Sequence, residues 1–288
     1  MPEYIEKAEN LTLPVIALGG TVAFPSVKIS FEITDPACIA AACAACDTNS
    51  FVLLVSTKDL DTAEITSKSL FTVGTVAKIK QSLKTPDNTL RLIVEGYSRA
   101  CIRQISQNRD FFVADVICKT IMLRDNGGVK GEALMREAIT VLENMVRLLP
   151  GVSNDIILAA KGIHNPGLLA DFIASNILVK YTDKQTVLEC FEPLARLETL
   201  TLLLEGESDI LGYEAEIHKQ VRERLNKNQR DYYLREQLKV IQEELGDDSE
   251  SEEAEYEAAI RKSKMPDEVK EKLLKENAKA AKMPFGSA

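Results

Sequence analysis

Glu214 to Leu245 reads EAEIHKQVRERLNKNQRDYYLREQLKVIQEEL, and with Tyr213 before it the stretch contains neither Pro nor Gly. Strong helix formers fill it. At about 1.5 Å per residue it predicts a rod roughly 50 Å long, too long for one small core to bury. Ile217, Val221, Leu225 and Tyr232 fall near one angle at about 100° per residue, and Leu234, Leu238, Ile241 and Leu245 fall towards the opposite side. The polar run Asn226 to Asp231 separates the two stripes. A helix that changes its apolar face halfway along can hold two bodies. The first stripe is expected to hold the helices that precede it. The second is expected to face a neighbouring subunit or the residues after Gly246. The same pattern also fits one helix packed twice by its own domain.

At 288 residues the chain exceeds one average domain, and 45% hydrophobic content is ample for folded cores. Lys and Arg number 35 against 44 Asp and Glu, a net charge of −9, which argues against a nucleic-acid-binding surface. No apolar run approaches the roughly 20 residues that span a bilayer. The N-terminus MPEYIEKAEN is charged and is not a secretory signal. Six cysteines in so long a chain do not make a disulfide scaffold, and a reducing cytoplasm fits them best.

Towards the N-terminus the period changes to that of strands. Val15, Ile16 and Leu18 predict a first strand closed by Gly19-Gly20. Thr21 to Ser26 follows as an apolar turn around Pro25. Lys28 to Thr34 alternates Ile29, Phe31 and Ile33 against polar residues, the signature of a half-buried strand. Asp35-Pro36 starts a helix rich in alanine. Strands are predicted at Phe51–Val55, Phe71–Ile79, Leu90–Val94, Arg99–Ile105 and Phe111–Cys118. Pro86-Asp87-Asn88 closes a hairpin, and Gly96 marks a bulge. Beyond Arg124 to Gly128 the period turns helical through Leu134, Ala138, Val141, Leu142, Met145 and Leu149. Further helices are predicted near Asp155, from Pro166, at Thr182–Glu189 and from Pro193. The fold class is α+β. Residues 1–120 form a β-rich domain, 125–206 a helical bundle and 207–246 a long helix. Residues 247–288 form an acidic loop and short helices, because the like-charge run 247–253 suits solvent.

No catalytic, cofactor-binding or metal-ligating constellation emerges. Gly162 to Gly167 comes nearest a phosphate loop, but Leu168-Leu169 stand where Lys and Ser/Thr are needed. Cys43 and Cys46 offer one ligand pair where zinc needs two, and read as small apolar groups. His164 and His218 are the only histidines, and no Ser sits in a Gly-x-Ser-x-Gly turn.

Several stretches together resemble the N-terminal region of the ATP-dependent Lon protease family. They are LPVIAL at 13–18 with TVAFP at 21–25, FTVGTVAKI at 71–79, LRLIVEG at 90–96 with Arg99, NPGLLADFIA at 165–174, VRERLNKNQRDYYLREQLK at 221–239 and Lys282-Met283-Pro284. One departure is Gly19-Gly20, where many members carry a charged pair. The resemblance implies a PUA-like β domain, a bundle and a long helix that recognise substrates and help a homohexamer assemble. It implies that the whole protein is an AAA+ serine endopeptidase, using ATP and Mg with a Ser-Lys dyad, for quality control and stress response. The chain is then expected to stop before the ATPase module, with no catalysis or cofactor of its own. Its partners would be unfolded or misfolded proteins and its own subunits. A stand-alone binding module of the same type is the alternative, and an independent enzyme the third reading. Substrate contact is expected at Phe24, Pro25 and Val27. Phe24 is as readily core, whereas Pro25 and Val27 are expected to be exposed. Assembly or packing is expected at Ile217, Val221, Leu225, Tyr232, Leu234, Leu238 and Ile241.

Overall fold

The computed structural model describes residues 4–280 apart from 49, 60–65, 67, 86–88, 109, 150 and 245–248; at 124, 242–244, 249–253 and 280 it describes the backbone only. Contacts divide the chain into two units, Met1–Ala215 and Glu216–Ala288. The first holds six strands: β1 (Tyr4–Leu18), β2 (Lys28–Ile33), β3 (Phe51–Ser56), β4 (Val73–Lys84), β5 (Leu90–Asn108) and β6 (Phe111–Leu123). Their order is β2-β5-β4-β3-β1-β6, and β5 also pairs with β6. The pairings therefore close a ring of β5, β4, β3, β1 and β6, with β2 laid against β5. β1 and β3 run parallel, so the chain between them crosses over through β2 and helix α1 (Pro36–Asp47). The Asp35 carboxylate accepts from Cys38 N at 2.9 Å and caps α1, with Pro36 in its first turn. Burial pushes the thiol of Cys38 up to about 12.

Two strands are longer than their apolar patterns. β1 begins at Tyr4 because Tyr4 to Pro14 pairs with β6, and its exposed first half carries no apolar alternation to betray it. The runs expected as separate strands at Leu90 and Arg99 are one strand. Its first half lies between β2 and β4, and its second half pairs with β6, with β4 reaching along it as far as Cys101. The bulge expected at Gly96 is present. Val76 faces Ser98 and Ala77 faces Gly96, which leaves Tyr97 without an opposite residue.

A 3-10 turn over Arg124–Gly127 leads into α2 (Gly128–Leu148), α3 (Asp155–Lys161), α4 (Pro166–Ile177), α5 (Tyr181–Glu189) and α6 (Pro193–Glu244). Asn165 Oδ1 accepts from Leu168 N at 3.1 Å and Pro166 opens α4. Ala138, Leu142, Met145, Leu169, Ile173, Leu188, Leu197, Leu200 and Leu204 are buried in one cluster, and Val22, Phe24 and Val73 of the β region belong to it. Bundle and barrel thus share a core within the first unit. Two further clusters lie on opposite faces of the sheet, one under α1 around Ile16, Leu54 and Leu92 and the other around Val15, Leu53 and Val116.

The run from Pro193 and the rod are one helix of 52 residues. Gly206 and Gly212 lie inside it, at about 1 kcal/mol each relative to Ala, too little to stop a helix anchored by buried leucines. Its buried seam ends with Leu204 and half-buried Leu211. Ile217, Val221, Leu225, Tyr232, Leu234, Leu238 and Ile241, expected to pack, are 50–66% exposed. Spacing alone could not separate a stripe that meets a core from one that meets solvent. Leu245, Pro86-Asp87-Asn88 and Lys282-Met283-Pro284 lie outside the described residues. The acidic run is not a loop from Ser249 onward. α7 (Ser249–Lys262) begins there and packs with α8 (Asp267–Ala280). Its acids at the start and Arg261 and Lys262 at the end match the helix dipole.

Candidate functional site at the barrel–bundle cleft

The cleft begins with a buried charge cluster. Arg99 on β5 donates to Asp171 on α4 through both terminal nitrogens, at 2.9 and 2.5 Å, and its Nε donates to Leu188 O at 2.9 Å. Arg196 on α6 donates to the same carboxylate at 3.2 Å and to Gly167 O at 3.3 Å. It also donates to Cys190 O at 2.7 Å and Phe191 O at 2.8 Å. All three residues are 5% exposed or less. One carboxylate serves two cations, so the cluster carries a net positive charge. The carbonyls at and just beyond the C-terminus of α5 complete its solvation, at the negative end of that helix. Burial, and then the Arg99 charge beside it, bring the Arg196 guanidinium down to about 10. Gly167 permits the close approach, since a Cβ there would lie 3.1 Å from Arg196 Nη1 and 3.2 Å from Pro193 Cβ. The only sequence signal for this cluster is Asp171, an acid inside the apolar run from Leu168 to Ala174.

Above the cluster lies a cleft of about 310 Å³, with Pro25, Tyr97, Met122, Leu168, Phe191 and Pro193 among its walls. Apolar side chains stand open on its rim, Tyr97 at 69%, Met122 at 54% and Leu168 at 45% exposed, beside Ser26, Lys119 and Thr120. Each has a local cause. The bulge turns Tyr97 out, and its ring meets Phe51 edge-on at 5.3 Å. Met122 pairs with exposed Ile5 on the β1–β6 ladder. Leu168 sits one position past Gly167 in the first turn of α4.

The segment from Thr21 to Val27 lends Pro25 and Ser26 to the cleft wall and is bolted down. Thr75 Oγ1 donates to Ala23 O at 2.6 Å, Ser56 Oγ to Thr21 O at 2.7 Å and Ser26 N to Gly96 O at 3.0 Å. Phe24 is 1% exposed in the shared core, Pro25 is buried and Val27 is half-buried against the bundle. The expectation that Pro25 and Val27 are exposed is therefore corrected, because the apolar turn is spent joining barrel to bundle. The open apolar side chains beside it are Tyr97, Met122 and Leu168, which no periodicity singled out.

At Gly162 to Gly167 the first turn of α4 takes its own cap from Asn165, and leucines stand in place of the Lys and hydroxyl. Among the described residues no three His, Cys, Asp or Glu side chains stand grouped to hold a metal ion. Among them, too, no helix is long and apolar enough to cross a membrane.

Residues 12–206 match the family model of the ATP-dependent protease La (LON) substrate-binding domain. The chain is 37% identical over 288 residues to the Lon protease of Escherichia coli K12, covering 98% of this chain and 36% of that one. It is 37% identical over 286 residues to the Lon protease of Vibrio parahaemolyticus, covering 99% and 36%. The chain thus spans about a third of the length of these relatives. The solved N-terminal domain of the Mycobacterium avium complex Lon protease superposes with a TM-score of 0.50 at 21% identity, over 68% of this chain and 98% of that one, and shares the fold. With the match running from β1 through the bundle and into α6, and so including the cleft, this chain belongs to the Lon protease family and carries its substrate-binding domain.

Proposed function

We propose that this chain receives unfolded or misfolded protein segments for an ATP-dependent protease of the Lon type working in the cytoplasm, and that they enter at the cleft. The observation that carries this reading is the open rim of Tyr97, Met122 and Leu168 over a rigid charged floor, inside the segment that matches a substrate-binding family. Exposed apolar side chains distinguish an unfolded chain from a folded one, and a clustered apolar rim is the surface that meets them. Binding is weak, about micromolar, because a small patch must offset the ordering of a flexible partner. On this reading the chain neither hydrolyses ATP nor cuts peptides, and those steps lie in the part of such a protease that the chain does not span.

Met122→Asp with Leu168→Asp is expected to weaken binding of fluorescently labelled, chemically denatured casein at least about tenfold, or about 1.4 kcal/mol. Both residues lie at the surface, so the thermal melt should barely move. Unchanged affinity in the folded variant places the contact elsewhere.

Ile217, Val221, Leu225, Tyr232, Leu234, Leu238 and Ile241, exposed on α6, support a second role, association of copies into a hexamer. From Lys219 to Lys239 seven basic residues face three acidic ones, so the helix also carries charge suited to an acidic partner surface. Leu234→Asp with Leu238→Asp is expected to reduce the sedimentation coefficient of the assembled protein while leaving the melt of the first unit unchanged. A melt lowered by this pair would show that it packs at home.

A further inference from the structure

Among the described residues β2 has β5 on one side and no strand on the other. Gly96 N donates to Val27 O at 3.0 Å, Ser26 N donates to Gly96 O at 3.0 Å, and Ser26 has φ +61. This is a bulge whose first residue is left-handed, and it sets the phase of the strand that follows. Hydrogen-bonded pairs alternate along an antiparallel ladder. Counting from Val27, Ile29, Phe31 and Ile33 bond to Val94, Leu92 and Leu90. The N–H and C=O groups of Lys28, Ser30 and Glu32 then point to the open edge. Proteins guard such edges with short strands, charged side chains, Pro, bulges or inward charges. From Lys28 to Ile33 the six-residue strand has only the first two, with Lys28 and Glu32 on its outer face, and its inward residues are Ile29, Phe31 and Ile33.

The outer face carries charge in rows. Glu95 lies opposite Lys28 and is held by Lys80 at 2.7 Å. Arg91 lies opposite Glu32, at 3.8 Å. One row therefore reads Lys80, Glu95, Lys28 and the other Arg91, Glu32. The edge residues Lys28, Ser30 and Glu32 are charge-antisymmetric about Ser30.

We propose that two copies of this chain pair β2 with β2, antiparallel about a two-fold axis at Ser30, and so join their sheets. Lys28 then lies opposite Glu32 of the second copy, Ser30 opposite Ser30 and Glu32 opposite Lys28. All three are pairs whose free groups point at one another, so each exchanges both backbone hydrogen bonds. The rows continue without a break in alternation: Lys80, Glu95, Lys28, then Glu32 and Arg91 of the second copy. On the inner face half-buried Ile29 meets Phe31 of the second copy. The contact is isologous and closes on itself. It uses no residue of α6 and can fail without touching the assembly role of that helix.

A single strand pair buries less than the roughly 1,200 Å² of a standard stable interface, so the free chain pairs at millimolar and not micromolar concentration. The test uses the full chain carrying Leu234→Asp and Leu238→Asp, which silences α6, and reads amide exchange by NMR. The amides of Lys28, Ser30 and Glu32 should slow by about tenfold between micromolar and millimolar chain, as pairing becomes populated. Lys28→Glu alone and Glu32→Lys alone should each abolish that slowing, since like charges then face each other. An equal mixture of the two variants, and the double charge swap, should restore it. The proposal fails if wild type shows no slowing, if single variants slow as wild type does, or if the mixture does not recover. It also fails if these amides slow only when denatured casein is added, an outcome that assigns the edge to client chains.

Discussion

Asp171→Ala is expected to destabilise the first unit by about 3–5 kcal/mol, because it leaves two buried guanidinium groups without their carboxylate. The magnitude follows from the geometry. Asp171 accepts both terminal nitrogens of Arg99 and one of Arg196, and none of the three side chains reaches solvent to any useful extent. The carbonyls of Gly167, Leu188, Cys190 and Phe191 remain as partners, but they are dipoles and cannot neutralise two charges. The loss is therefore the cost of an uncompensated buried charge and not the net worth of the ion pairs, which can be close to zero. That distinction can be measured. Replacing Arg99, Asp171 and Arg196 together by apolar residues of similar volume should recover much of the stability. Urea unfolding of the two variants decides it. A loss below about 1 kcal/mol for Asp171→Ala would mean that the cluster is hydrated and does not fix the floor of the cleft.

Gly96→Ala is expected to cost about 2–3 kcal/mol, at the upper end of what a forced methyl does in a packed site. An added Cβ would sit 2.1 Å from Phe24 O, 2.9 Å from Phe24 C and 3.1 Å from Pro25 Cα. These are backbone atoms, held by the bonds from Thr75, Ser56 and Ser26, so no flexible side chain can yield. The segment must lift, and it carries Phe24 out of the core shared by barrel and bundle. Gly206→Ala is the matched control. It has open space around its Cβ position inside α6, and should stabilise by up to about 1 kcal/mol. Chemical denaturation of both variants tests the pair. Equal effects would show that the contact at Gly96 relaxes freely. Binding should also suffer in Gly96→Ala, since Pro25 and Tyr97 both wall the cleft.

The α+β order, the bulge at Gly96, the cap at Asp35 and the start of α4 at Pro166 are legible in the sequence because each has a local cause. Alternation, a glycine, and a capping side chain before proline act within a few residues. The solvent-exposed half of β1 is not legible, because its partner β6 lies a hundred residues away and its pattern is polar. The continuity of α6 through Gly206 and Gly212 is missed for a related reason. A glycine weakens a helix by a fixed small amount, and distant packing decides whether that matters. At the site the difficulty is sharper. Thr21 to Val27 looks like a binding turn for the property that makes it a joint, an apolar run around a proline. Tyr97, Met122 and Leu168 belong to three different elements and share no spacing. Tertiary structure alone gathers them around one opening.

Unfolded chains are expected to meet this protein at the cleft, and an amide-exchange map of the full chain with and without saturating reduced, carboxymethylated casein reads that contact residue by residue. The expected result is slowed exchange confined to three stretches, 97–98 on β5, 119–122 on β6 and 165–168 at the start of α4. Casein that binds with slowed exchange only along 216–244 of α6, and none at those three stretches, would contradict it.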